Sequence, residues 1–477
     1  MPPAPTPRPT LTRRGFLVGA LGVTPLATWG LAESTERPAP PSAFRLSAVP
    51  LSPVSPDDRP ALVHRFPALD YGPRNTAPIQ LFNLLGTAPG RPIADAGPVG
   101  DCDFIHPQNP ACRVIPWVPL FARPVPTRAA PPALVRTLGL STLGIRDEGG
   151  PNGTNIALYG NKARKYEYAL ANAIFGGATH LTTVASLGSN HAVALAVAAR
   201  FARLGRAEPL PLTVRAYPQR VTPAVAAKQR YLRALGAEVT LLSGDVRAGA
   251  ALARQRVAER LGLDDPTVFS VPPGGSNVHA VWGHVDAALE LATALADQNE
   301  APPDDVFVAL GSGATAAGLA LGFALLGWNT RIVATLSQNK PRWMGALVFG
   351  DPDTPLAVSA ARALFRDAAD LLGCMVDRPT GWAEDALGSD RFVIDAETWK
   401  PAYGEDSEVV QADRDLAAAH GLLLDETFAG KSFSTLCQWA RDGRLNGRRP
   451  LFWNTFHRFD PAAWSPALAA APLPDLA

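Results

Sequence analysis

The sequence predicts an α/β fold with mostly parallel sheets flanked by helices. From about residue 116, short β-branched or apolar runs alternate with longer Ala- and Leu-rich stretches. That alternation is the mark of strand–helix–strand units. Successive helical stretches close on Gly205, Gly236 and Gly262, and glycine is the residue that best ends a helix. The 47 prolines crowd the first third, at about twice the usual share of roughly 5%, and predict an irregular leader ahead of the fold.

The elements follow in order. "THLTTVAS" is a strand and "NHAVALAVAARFARLG" a helix. "LPLTVRAY" is a strand, followed by a helix over "PAVAAKQRYLRALG". "AEVTLLS" is a strand, then "DVRAGAALARQRVAERLG" a helix. "TVFSVPP" leads into a helix around "VHAVWGHVDAALELATALADQ". "DDVFVAL" is a strand, "ATAAGLALGFALLG" a helix and "RIVATLSQ" a strand. Ligands in such sheets sit at the carboxyl ends of strands, where loops enter helices. No internal repeat is apparent.

Length and charge narrow the function. At 477 residues, 47% hydrophobic and 18% charged, the chain is a globular protein with room for two or three cored domains. A net charge of +1 points to neither nucleic acid nor a membrane surface. Residues 1–32 have the anatomy of a cleaved signal: Arg13-Arg14, then Phe16-Leu17, a short apolar run, and small residues at Gly30 and Ala32. The apolar run is too short and interrupted for an anchor. The paired arginines match a twin-arginine signal, with an ordinary secretion signal as the alternative. Export machinery is then a partner, and the expected location is periplasmic or secreted. Residues 33–115 read as a Pro-rich extension and 461–477 as a tail. In an exported chain, Cys102 and Cys112 in "DCDFIHPQNPAC" read as a disulfide. A metal site through His106 has only three candidate ligands at no familiar spacing, so no metal is expected.

Three loops share the expected crevice. In "VFVALGSGATAAGLALG" a strand runs into Gly311-Ser312-Gly313-Ala314-Thr315 and then a helix of small residues. Free amides there make an anion cradle, with phosphate the usual guest. The same run fits G-x-G-x-x-A, the dinucleotide fingerprint. That reading wants an acid after the next strand; "TLSQNKPRW" has none, which leaves an NADP site using Lys340 as the variant. A plain tight turn is the third account. The second loop, "VASLGSNHAVALA", puts Ser189, Asn190 and His191 where a strand meets a helix, with helix capping as its structural account. The third is "LYGNKARKYEYAL". Asn161 can cap its helix, and Lys162, Arg164 and Lys165 crowd the first turn, where positive charge opposes the helix dipole. Either this is a solvated basic end, or one lysine is kept neutral for chemistry by burial and positive neighbours. A lysine, a phosphate cradle and a Ser-Asn loop together suggest pyridoxal phosphate, with the lysine on its aldehyde.

With "VPPGGSN", "PAYGEDSE" and "FAGKS" added in order, residues 116–460 resemble the D-cysteine desulfhydrase and 1-aminocyclopropane-1-carboxylate deaminase family. That resemblance implies a two-domain tryptophan-synthase-β-like fold, with a smaller subdomain at about 176–285. It implies that Lys162 holds pyridoxal phosphate covalently, Asn190 bonds the ring hydroxyl, and residues 311–315 bind the phosphate. Ser189 would act at the substrate Cα, with Asn190 and His191 also at the substrate. Tyr403 matches an active-site tyrosine, and Thr455 would face the pyridine nitrogen. Departures are equally specific. The family places a tyrosine and then Glu or Thr before the Gly-Lys-Ser; here they are Phe428 and Ala429. "WNTFHRF" lacks both glycines of the usual His-Thr-Gly-Gly, and Val193 stands where an arginine is common.

The expected function is therefore a pyridoxal phosphate lyase on a small amino acid, removing the α-proton and eliminating a β-substituent as a D-cysteine desulfhydrase does. Phe428 and Ala429 disfavour cyclopropane ring opening. The rivals are β-replacement as in cysteine synthases, a degenerate cofactor or amino-acid binding protein, and an NADP-linked oxidoreductase. A homodimer is the default assembly.

Overall fold

The computed structural model describes residues 120–121, 124–149, 159–175, 178–201, 210–243, 265, 267–337, 354–375, 381–396 and 407–457. The expectations for the signal, the leader, Cys102 and Cys112, Lys340, Tyr403, the helix over "DVRAGAALARQRVAERLG" and the tail lie outside them.

Two sheets organise the described chain. The larger contains β1 (Thr127–Ala129), β2 (Gly144–Asp147), β7 (Asp305–Leu310), β8 (Arg331–Leu336), β9 (Phe392–Asp395) and β10 (Pro450–Asn454). Its order is β1-β2-β10-β7-β8-β9; β1 pairs antiparallel with β2 and the remaining pairs are parallel. The smaller contains β3 (His180–Ser186), β4 (Leu212–Tyr217), β5 (Glu238–Leu241) and β6 (Val268–Val271), in the all-parallel order β5-β4-β3-β6. The last strand, β10, slots between β2 and β7, with Phe452 opposite both Ile145 and Phe307. Every residue of β7 is buried, as expected of a parallel strand covered on both faces.

The helices are α1 (Pro132–Thr137), α2 (Lys162–Phe175), α3 (Asn190–Phe201), α4 (Pro223–Ala234), α5 (Val278–Asp297), α6 (Ala314–Leu325), α7 (Leu356–Met375), α8 (Glu408–Ala419) and α9 (Ala429–Arg441). In α3 the run Ala192–Ala199 is buried throughout, against Leu181, Leu212 and Val214 of the smaller sheet. α6 is apolar on nearly all sides and packs on α5. A Cβ at Gly318 would lie 2.5 Å from His284 Cβ, and one at Gly322 would lie 2.5 Å from Ala288 Cβ. α5 also receives α2: a Cβ at Gly283 would lie 1.9 Å from the Arg164 carbonyl oxygen. The backbones of α2, α5 and α6 therefore meet through glycines, and α5 locks the helix of Lys162 to the helix of the cradle.

A buried ion cluster supports this junction. Arg146 of β2 pairs with Glu148 at 3.2 Å and with Glu290 of α5. Arg164 of α2 pairs with Glu148 at 2.6 Å and Glu290 at 3.2 Å. Burial works against the Arg164 charge, and the two glutamates outweigh it. Buried ions survive only when paired this fully. The chain entering the fold is tied to the same helices: Val125 N donates to Glu290 Oε1 at 2.6 Å and Leu120 N to Glu167 Oε1 at 3.0 Å.

Candidate active site

The α6 cradle begins at Gly313, the residue capping the helix, with φ of 98°. A Cβ there would also lie 2.8 Å from the Ala361 Cα, so both backbone and space demand glycine. The next amides, from Ala314 on, have no acceptor within the helix. Gly311 is pressed by the Phe428 ring, whose Cε1 would lie 2.9 Å from a Cβ at that position. Beside the cradle, Ser312 Oγ and Ser276 Oγ are 2.7 Å apart.

The crowded cations of α2 separate into different environments. Arg164 belongs to the ion cluster. Lys165 Nζ donates to the Gly274 carbonyl and to Ser276 Oγ, each at 3.1 Å, which places a second lysine at the cradle. Burial, then the charge of Lys162, lowers the Lys165 ammonium to about 7. Burial also lowers Lys162, to about 8, against the pull of Asp425 and with help from Lys228. The solvated basic end is thus excluded.

Asn161, the candidate cap of α2, reaches the cradle. Its Nδ2 donates to Thr315 Oγ1 at 3.1 Å, and Thr315 Oγ1 lies 3.2 Å from His284 Nε2. Burial, then the charges of Lys165, Arg164 and Lys162, holds His284 neutral.

At α3, Ser189 Oγ accepts from Ala192 N at 3.4 Å, a helix-cap bond that leaves its hydroxyl hydrogen free to donate. Asn190 opens the helix, partly exposed. The His191 ring turns inward. Thr183 Oγ1 donates to the Val271 carbonyl at 2.7 Å and so accepts from His191 Nε2 at 2.9 Å. That leaves the other nitrogen, Nδ1, as an acceptor facing the Tyr166 hydroxyl at 2.7 Å, whose one proton it shares with the His191 carbonyl at 2.9 Å. Burial, then Lys162 and Lys165, keeps the ring neutral. A substrate contact from His191 is therefore left to its backbone N–H.

Thr455 directly follows β10 and is partly buried. The segment after it abuts the turn before Lys162, where a Cβ at Gly160 would lie 3.0 Å from His457 Cβ. From the far side comes Asp425, whose Oδ1 accepts Phe428 N and Ala429 N at 2.8 Å each. Burial raises its carboxyl against those two bonds. The Gly-Lys-Ser that follows is structural: Lys431 Nζ donates to the Ser337 carbonyl at 3.3 Å, at the end of β8.

The structure thus brings together Lys162, residues 311–315 and the Ser189 loop, with Thr455 at their edge. Lys165 was noted from sequence only as one of three crowded cations, and Ser276, Asp425 and Lys228 were not singled out. The three cations in one helical turn and the "VPPGGSN" string were the available signals for Lys165 and Ser276. A lysine of lowered pKa, beside free helix amides, serine hydroxyls and a second lysine, is the donor set for a phosphate-bearing aldehyde.

Comparison with known proteins agrees. Residues 153–455 match the family model described as "Pyridoxal-phosphate dependent enzyme". A Pyrococcus horikoshii protein, provisionally named a 1-aminocyclopropane-1-carboxylate deaminase, is 30% identical over 308 residues, 63% of this chain and 81% of that one. The D-cysteine desulfhydrase of Salmonella choleraesuis is 26% identical over 350 residues, 71% of this chain and 92% of its own. The crystal structure of an ACC deaminase homologue, 25% identical, superposes with a TM-score of 0.56 over 77% of this chain and 100% of that one. The dinucleotide reading of the 311–316 turn is set aside. With cradle, lysine and family model in agreement, the chain belongs to the pyridoxal-phosphate dependent enzymes, as a lyase of the ACC deaminase and D-cysteine desulfhydrase type.

Proposed function

We propose that the protein eliminates a β-substituent from a small amino acid, releasing a keto acid and ammonia, as a D-cysteine desulfhydrase does. The observation that carries this reading is the lysine of lowered pKa tied to a phosphate cradle and a Ser-Asn helix start. When bound, pyridoxal phosphate supplies an electron sink for the pair left at Cα.

The residues divide the work. Lys162 reaches the cofactor aldehyde, and its lowered pKa keeps a neutral amine available near neutral pH. The amides of Gly313, Ala314 and Thr315, with Gly311, Ser312 and Lys165, hold the phosphate. Asn190 would bond the ring hydroxyl, and Thr455 would offer a neutral hydroxyl to the pyridine nitrogen, as the resemblance implies. The α3 amides, with Ser189, hold the substrate carboxylate. Lys162, assisted by Ser189, accepts the α-proton. Tyr403 is assigned here on the resemblance alone.

Phe428 lies on Gly311, and Ala429 is fully buried. Neither side chain can transfer a proton, which favours elimination over cyclopropane opening. The enzyme is expected to form keto acid from β-substituted alanines and none from 1-aminocyclopropane-1-carboxylate. Sulfide supplied as acceptor distinguishes β-replacement. The paired arginines support export, and a reporter fused after residue 32 would appear outside the cytoplasm.

The test is the absorption spectrum before and after borohydride, with peptide mapping of the reduced residue. A chromophore trapped on Lys162 is expected. Lys162→Ala should lose that band and slow turnover by roughly 10²–10⁴-fold or more. Full turnover by that variant would overturn the assignment.

A further inference from the structure

We propose that Lys228 is a positioning residue for the substrate loop, fixing the peptide that joins Gly188 to Ser189 beside the reactive lysine. This role rests on the crevice assigned above. β3 ends at Ser186, and the chain turns through Leu187 and Gly188 into α3. That turn sits in a socket made by α4 and its lead-in. Gly188 N donates to Gln219 Oε1 at 3.0 Å. The Gly188 carbonyl accepts from Lys228 Nζ at 3.1 Å, and the Leu187 carbonyl accepts from Gln229 Nε2. A Cβ at Gly188 would lie 2.7 Å from Gln219 Nε2 and 2.8 Å from Val225 Cγ2, so any side chain there would displace Gln219 or Val225 from the turn.

The Gly188 carbonyl shares one rigid peptide plane with the Ser189 N–H. That N–H donates to the Ser186 carbonyl at 3.1 Å. Lys228 therefore pins one end of the plane and Ser186 the other. Rotation of this peptide would carry Ser189, and the amides of Asn190 and His191 behind it, out of register with Lys162.

The charge has a second use. A glutamine would supply the same hydrogen bond without the cost of taking an ammonium out of water. Gln229, one position along, does so for Leu187. Lys228 instead brings an ammonium that burial weakens and that the charges of Asp425 and Glu426, from the loop before α9, support. On its own side it faces Lys162. The residue thus spans the crevice: its hydrogen bond goes to the smaller sheet, and its charge goes to acids carried by the larger one. The orientation of Ser189 is coupled in this way to the position of the other layer.

The test compares Lys228→Met, which loses bond and charge, with Lys228→Gln and Lys228→Arg. Arg233→Gln, on an exposed position of α4, is the control. Hydrogen exchange of the amides at 187–191 is the readout that does not depend on turnover. In Lys228→Met these amides should exchange at least roughly tenfold faster, the bond to a charged donor being lost. KM for the amino acid should rise by a similar factor, while melting temperature and cofactor band stay as in the wild type. Lys228→Arg should restore both, and Lys228→Gln only the exchange. Unchanged exchange and KM in Lys228→Met would overturn the proposal. Were the wild type inactive on every amino acid, the elimination reading would fall and the exchange data would still decide the role of Lys228. Should Lys228→Met not fold, wild-type exchange and KM in Lys228→Gln would reject the part played by charge.

Discussion

Lys162, Arg164 and Lys165 occupy one helical turn, and each cation is kept by different means. Arg164 keeps its charge through Glu148 and Glu290. Burial weakens Lys162 and Lys165 as bases, lowering their ammonium groups to about 8 and about 7. Only the neutral amine attacks an aldehyde. The cofactor-free protein should therefore take up pyridoxal phosphate faster as pH rises, by ~tenfold per unit until about 8 and little beyond. Stopped-flow absorbance across that range checks it. A phosphate beside Lys165 favours its charged form, so Lys165→Met should weaken binding of pyridoxal phosphate far more than binding of pyridoxal. Residue types were legible here, since a lysine, a glycine-rich turn and a Ser-Asn pair are local strings. Their partners were not. Asn161 answers Thr315 across 154 positions, and no local pattern shows that.

At the scale of elements, α5 is the common partner. It meets α2 at Gly283 and α6 at Gly318 and Gly322, so the lysine and the cradle are registered through one helix. Gly283→Ala would drive a methyl into the Arg164 carbonyl. Overpacking of this kind costs about 1–3 kcal/mol, and the denaturant midpoint should fall accordingly. Cofactor affinity should fall with it, because α2 must shift relative to α6. A surface Gly→Ala such as Gly421→Ala, at φ of 76° with open space around it, should cost stability through backbone strain and leave the affinity unchanged. The described strands and helices within 179–337 were readable because short β-branched or apolar runs alternate with longer Ala- and Leu-rich ones. The order of strands was not. β10 pairs with β2 across about 300 positions, and pairing at that distance leaves no trace in local composition.

Across the whole molecule, the candidate cofactor-binding residues are divided between the layers. The phosphate cradle starts from the larger sheet, and the Ser189 loop starts from the smaller. A ligand bound only by the folded state adds stability by mass action, about 2.7 kcal/mol at a hundred times its dissociation constant. Stripping the cofactor should lower the melting temperature, and pyridoxal phosphate should restore it. Inorganic phosphate should restore only part, since it meets the cradle and leaves the lysine and the Ser189 loop without a guest. The entry of the chain into the fold carries a different implication. Leu120 and Val125 hand their backbone N–H groups to Glu167 and Glu290, on the helices that frame the lysine. A cut beyond Val125 would remove both donors, one of them to Glu290 at the centre of the ion cluster, so these six residues belong with the fold that holds the lysine.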